Sequence, residues 1–145
     1  MKMKCAFALS RDNRFEEKFF GNADNFVIYK LENDELKFEK QMINPYRNVE
    51  NEGTLNLEEK GQSVIKLLKK QGVSVLVSRQ FGENIKMINK HFIPVIIKQE
   101  KPEEVVAVLQ KHHKWLWDEL TNKSSGYMLF QIKEGVLKTQ INPGV

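Results

Sequence analysis

Residues 15–29 read FEEKFFGNADNFVIY. The apolar step Phe19-Phe20 runs into Gly21, a polar turn Asn22-Ala23-Asp24-Asn25 follows, and an uninterrupted strand pattern then occupies Phe26–Leu31. Glycine accepts a sharp bend without a Cβ penalty. Two phenylalanines beside it must bury at least one ring, so the loop is expected to lie against a core. A loop pinned by aromatics at a strand end is a natural ligand position.

Upstream, Met3–Leu9 is a short and almost wholly apolar run, the signature of a strand covered on both faces at the centre of a sheet. Ser10–Arg14 is the polar loop at its carboxyl end. Downstream, Phe26–Leu31 and Leu36–Ile43 flank Glu32-Asn33-Asp34-Glu35 as a β-hairpin. In its second arm Leu36, Phe38 and Met42 alternate with Lys37, Glu39 and Gln41, which predicts a half-exposed edge strand. Asn44-Pro45 ends it, and Tyr46–Thr54 is a polar loop containing Gly53.

Leu57–Gln71 carries one apolar face, Leu57, Gly61, Val64, Ile65 and Leu68. Asn56 with Glu59 forms a capping box at its start, and Gly72 ends it. Val73–Val77 is a second short apolar strand. Ser78–Gly82 turns into a helix expected over Glu83–His91. Ile93–Ile97 follows as a strand, placed at an edge because Pro94 cannot donate to a ladder. Pro102 opens a third helix reaching Leu120, with Trp115 and Trp117 on different sides. Tyr127–Ile132 and Val136–Ile141 form a terminal hairpin around Lys133-Glu134-Gly135. Strands alternating with helices after residue 56 require a parallel sheet with right-handed crossovers. The sum is an α/β fold: a mixed sheet of about five strands with helices on both faces.

The chain has 145 residues, one domain's worth, with 41% hydrophobic residues. Its 23 basic and 19 acidic residues leave a dispersed net charge of +4, which makes a dedicated nucleic-acid role unlikely and gives no polybasic patch. The single cysteine, Cys5, precludes an internal disulfide and a cysteine-based zinc or self-contained iron–sulfur site. Without a signal-like or membrane-length apolar segment, the sequence reads as cytoplasmic.

The order of Lys4–Ala8, Phe20-Gly21 before Phe26–Tyr29, Asn44-Pro45, Gly72–Val77 and Phe81-Gly82-Glu83-Asn84 resembles the dinitrogenase iron–molybdenum cofactor biosynthesis family, over about residues 2–113. The resemblance implies a three-layer α/β/α, ribonuclease H-like motif with sheet order 3-2-1-4-5 and strand 2 antiparallel. It also implies a non-enzymatic protein whose ligand is an iron–molybdenum or iron–sulfur cluster or a precursor. The chain departs from the family pattern at several places. Phe19 stands where the family commonly has a histidine before Phe-Gly. Arg79 and Gln80 replace a frequent Gly-Gly, Glu83 a proline, and Tyr46-Arg47-Asn48 follow Asn-Pro where histidines are often found. Residues 122–145 extend the domain of residues 1–121 beyond the resemblance.

Open α/β sheets bind ligands at the carboxyl ends of strands where the chain leaves in opposite directions. That rule selects Ser10, Arg11 and Asp12 after the first strand and Arg79, Gln80, Phe81, Gly82 and Asn84 after the fourth, covered by Phe19, Phe20 and Gly21. Free N–H groups at a helix start and the Arg79 guanidinium favour an anion there. His91, His112 and His113 lack the spacing of a metal-binding helix face, and buried Cys5 is expected to be inert. The first strand contains no acid, and no Walker, dinucleotide or Ser-His-Asp pattern is present. Two readings follow: a cluster- or anion-binding protein, or an interaction module for a protein or a small anionic metabolite. The apolar terminal hairpin needs a surface. Its options are its own sheet edge, the tryptophans, or a second molecule in a homodimer.

Overall fold

The structure, a computed structural model, describes residues 2–47, 56–82 and 85–139. Its strands are β1 (Lys4–Leu9), β2 (Asn25–Glu32), β3 (Glu35–Ile43), β4 (Val75–Ser78), β5 (Ile93–Ile96), β6 (Phe130–Lys133) and β7 (Val136–Thr139). The helices are α1 (Leu57–Lys70), α2 (Ile85–Ile88), α3 (Pro102–Lys111) and α4 (His113–Asn122). They build one sheet in the order β3-β2-β1-β4-β5-β6-β7. The five-strand order 3-2-1-4-5 is found, with β2 antiparallel to β1 and β4 parallel to it. Beyond Arg47, the polar loop expected up to Thr54 lies outside the described residues, as do Glu83, Asn84 and the end of the terminal hairpin.

Two cores result from the pleat of β1. Cys5, Phe7 and Leu9 point to one face and pack with Val105, Leu109 and Leu116 of α3 and α4. Ala6 and Ala8 point to the other, beneath Val64, Ile65 and Leu68 of α1 and Ile88 of α2. Alanines on that side leave room for Phe20, Phe26 and Phe81, all at most 2% exposed. The α1 capping box is formed: Glu59 N–H donates to Asn56 Oδ1 at 2.8 Å, and Asn56 N–H donates to Glu59 Oε1 at 3.3 Å.

Four expectations are corrected. Strand β5 is not an edge, because β6 pairs with it in parallel through Val95–Phe130 and Ile96–Gln131. Pro94 is tolerated because Ile93 and Ile97 donate to Ser74 and Ser78 on the β4 side. By alternation Pro94's missing donor faces β6, whose pairing begins one residue later. The hairpin therefore takes the first of its options, the sheet edge of its own chain.

Second, Leu36 and Met42 do not share a face. A bulge opposite Ile28/Tyr29 inserts Glu39 as an extra residue. Leu36 consequently joins the α3 side, while Met42 joins the α1 side. Third, the helix from Pro102 breaks at His112 (φ −110°). His113 is then buried, and its Nδ1 lies 2.8 Å from the Gln110 carbonyl. Of the two tryptophans, Trp117 packs against the core while Trp115 is half exposed and stacks on His112. Fourth, α2 ends at Ile88 rather than His91.

Phe130, Ile132 and Leu137 are all buried in the cluster that contains Phe7. Truncating Phe130 removes a large ring from a shared core, so Phe130→Ala is expected to cost about 3–5 kcal/mol. Urea unfolding should remain one cooperative transition. A separate early transition for the tail would show that it is not part of the same folding unit.

Candidate functional site

The turn between β1 and β2 is built around Phe20–Asn22, a single 3-10 turn. Phe20 N–H donates to the Gln80 carbonyl at 3.2 Å, and Phe19 bridges in parallel to Gln80. This zips the turn to the Ser78–Gly82 loop after β4. Phe20 and Phe81 are buried with ring centroids 5.9 Å apart. They support the crest from below and offer nothing to a ligand. Gly21 is required for a reason other than backbone bending: its φ is not positive, but a Cβ there would lie 2.5 Å from Phe19 Cε1. Phe19, half-buried, leans over Gly21 with its ring 4.4 Å from that of Phe20.

Two buried polar side chains hold this turn, and the sequence alone did not assign them. Asn44 is fully buried; its Nδ2 donates to the carbonyls of Gly21 and Ala23, both at 2.9 Å, and its Oδ1 accepts from Tyr46 N–H at 3.0 Å. Every hydrogen-bonding direction used by the amide serves the loop. Lys60 of α1 is also fully buried, and its Nζ donates to Asn22 Oδ1 and, at 2.8 Å, to the Arg47 carbonyl. A visible signal for Lys60 is its place four residues before Val64 and eight before Leu68, on the apolar stripe of α1.

On the α3 side of the crest lies a cleft of about 950 Å³. Ser10, Arg11, Asp12 and Arg79 line it, as do Arg14, Phe15 and Lys18 of the same loop and Lys98–Glu103 after β5. The reversal in chain direction at β1 and β4 points to the loops after those two strands; the cleft also takes in Lys98 and Lys101 from the loop after β5. Gln80, Gly82, Gly21 and the three phenylalanines 19, 20 and 81 do not line this cleft. Asn84 lies outside the described residues.

The cleft's acids are tied into its walls. Asp24 accepts from Arg11 N–H at 2.8 Å and faces Arg47 at 3.7 Å. Asp12 accepts from Ser10 Oγ and lies 3.5 Å from Arg14, and the Ser10 bond holds its carboxyl below the usual range. Glu100 accepts from Lys98 N–H at 2.7 Å. Glu17 faces Arg79 at 3.9 Å, and burial raises Glu16.

Metal donors are a poor fit. Phe19 presents only carbon where the family commonly has histidine. Among the described residues no group of three His, Cys, Asp or Glu side chains is arranged to hold a metal ion. Cys5 is fully buried in β1 and burial pushes its thiol up to about 12. Among the described residues no helix is long and apolar enough to cross a membrane.

Together these features define a three-layer α/β/α protein with a rigid crest and an adjoining cleft at its strand carboxyl ends. A sequence profile described as dinitrogenase iron-molybdenum cofactor matches residues 1–113, and the chain belongs to that family. No curated protein matches the chain.

Replacing Asn44 by alanine strands the Gly21 and Ala23 carbonyls in a buried site. Asn44→Ala should therefore lower stability by about 2–4 kcal/mol, read from chemical denaturation. For Cys5, the folded thiol stays protonated up to about pH 12, whereas the ordinary value is 9.0. Its contribution is present in full below pH 9 and is lost as pH rises toward 12. Stability should fall across that window more steeply than in Cys5→Ala, and a thiol reagent at pH 8 should label the protein only after denaturation.

Proposed function

We propose that this chain is a non-enzymatic binding protein whose ligand sits at the crest formed by the Phe20–Asn22 turn and the Ser78–Gly82 loop. The ligand class implied by the family is an anionic metal–sulfur cluster or its precursor. The observation that carries the reading is the crest itself: Asn44, Lys60 and the Phe20–Gln80 bond fix the loop before any ligand arrives. A preformed surface spares a ligand the cost of ordering it. The candidate contacts among the described residues are Phe19, Gly82 and Arg79. Any cluster held there relies on charge and shape more than on coordination by position 19.

A second reading, an interaction module for a protein partner or small anionic metabolite, is favoured by one observation. Phe19 is packed on Phe20 and over Gly21, a packing contact at the position where the family pattern commonly carries a histidine.

Anaerobic incubation with iron and sulfide, followed by desalting, absorption spectroscopy and metal analysis, separates the two. Retained iron with cluster absorption supports the carrier. A colourless and metal-free protein leaves the interaction module. Phe19→His adds one donor where no other set is assembled, so its metal content should match that of the parent. A clear gain would reveal further ligands beside position 19.

A further inference from the structure

We infer that the cleft on the α3 side is a second binding site, distinct from the crest, for a compact polyanion such as a diphosphate or a polycarboxylate. Three separate segments bring cations to it: Arg11, Arg14 and Lys18 from the loop after β1, Arg79 from the loop after β4, and Lys98 and Lys101 from the loop after β5. Acidic side chains are equally numerous along the walls: Glu17 faces Arg79 at 3.9 Å, Glu16 and Glu103 also line the cleft, and the other three are engaged by the loops. Asp24 and Glu100 accept backbone N–H groups of Arg11 and Lys98, and Asp12 is engaged by Ser10 and Arg14. These carboxylates brace the loops that carry the cations. Among the described residues no partner is found for the Arg11 guanidinium or the Lys98 ammonium, which come from the loops after β1 and β5.

Size and shape narrow the ligand further. About 950 Å³ is near the upper end for small-molecule sites. Phe15, the cleft's aromatic residue, is 4% exposed and stacks inward on Phe7 at 5.3 Å, so no aromatic face is offered to a nucleobase. Cations brought from three separate loops suit a molecule with two or more acidic groups, and the arginine forks match carboxylate or phosphate oxygens. The cleft shares Arg79 with the crest, but neither Phe19 nor Gln80 lines it. It thus stands apart from the cluster reading.

Isothermal titration of the full chain with inorganic pyrophosphate and, separately, with citrate tests the site. Saturable binding of either probe, weakened by salt, is expected, and the preferred probe tells phosphate from carboxylate recognition. Arg11 and Lys98 are exposed, so the double variant R11A/K98A should fold as the parent does and lose affinity at least about tenfold. Phe19→His, on the crest, should bind as the parent does. Absence of saturable binding of both probes at millimolar concentration, or equal affinity in a folded R11A/K98A protein, would overturn the site.

Discussion

One buried amide sets the geometry of the crest. The chain leaves β1, crosses the end of the sheet and returns as β2, and in doing so points the Gly21 and Ala23 carbonyls inward. Leaving such a group unpaired costs about 1–3 kcal/mol. Asn44 answers both from the end of β3, while its own backbone N–H donates to the Asp24 carbonyl at 2.9 Å. Only an amide of this length supplies two donors and an acceptor at once; aspartate would remove the donors. The Asn-Pro step is thus an anchor as well as a strand terminator.

Lys60 extends the same logic at higher stakes. A buried ammonium demands compensation for lost water, and the partners it takes, Asn22 and the Arg47 carbonyl, belong to the two segments that flank the crest. Helix α1 is thereby coupled to the loop by a polar contact as well as by its apolar stripe. The turn is held from the sheet by Asn44, from the helix by Lys60 and from β4 by Gln80. The turn is thus fixed from three sides by polar contacts.

Much of this was legible from pattern. The apolar run Met3–Leu9 could only be a central strand, and Asn56 with Glu59 marked a helix start that the structure realises with both hydrogen bonds. Asn33 and Asp34, both at positive φ, tighten the hairpin as its polar turn implied. The misses have separate physical origins. A bulge at Glu39 changes side-chain phase without leaving a local mark. Pro94 excludes one hydrogen bond, not a neighbour, and the side on which that bond falls depends on the partner strand. The break at His112 answers to the burial of His113, which a continuous helical stripe does not reveal. Of the residues assigned to a ligand crevice, Ser10, Arg11, Asp12 and Arg79 share one cleft, while Phe20 and Phe81 are buried beneath the crest. Alternation and spacing place residues at a strand end but do not say which side of the crest each will face.

The family match stops at residue 113, at the junction of α3 and α4, but the core does not. Leu116, Phe130, Ile132 and Leu137 complete the cluster around Phe7, Val95 and Leu109. The tail therefore does two things at once: it covers apolar surface beside α3, and it occupies the β5 edge that a five-stranded sheet leaves open. An open edge invites strand addition by another chain. Here the exposed edges are β7, four residues long, and β3, interrupted by its bulge and carrying Lys37 and Lys40. The charges and the bulge discourage further pairing along β3. The hairpin that looked in sequence like a reason to associate closes the β5 edge of its own sheet and completes the core beside α3.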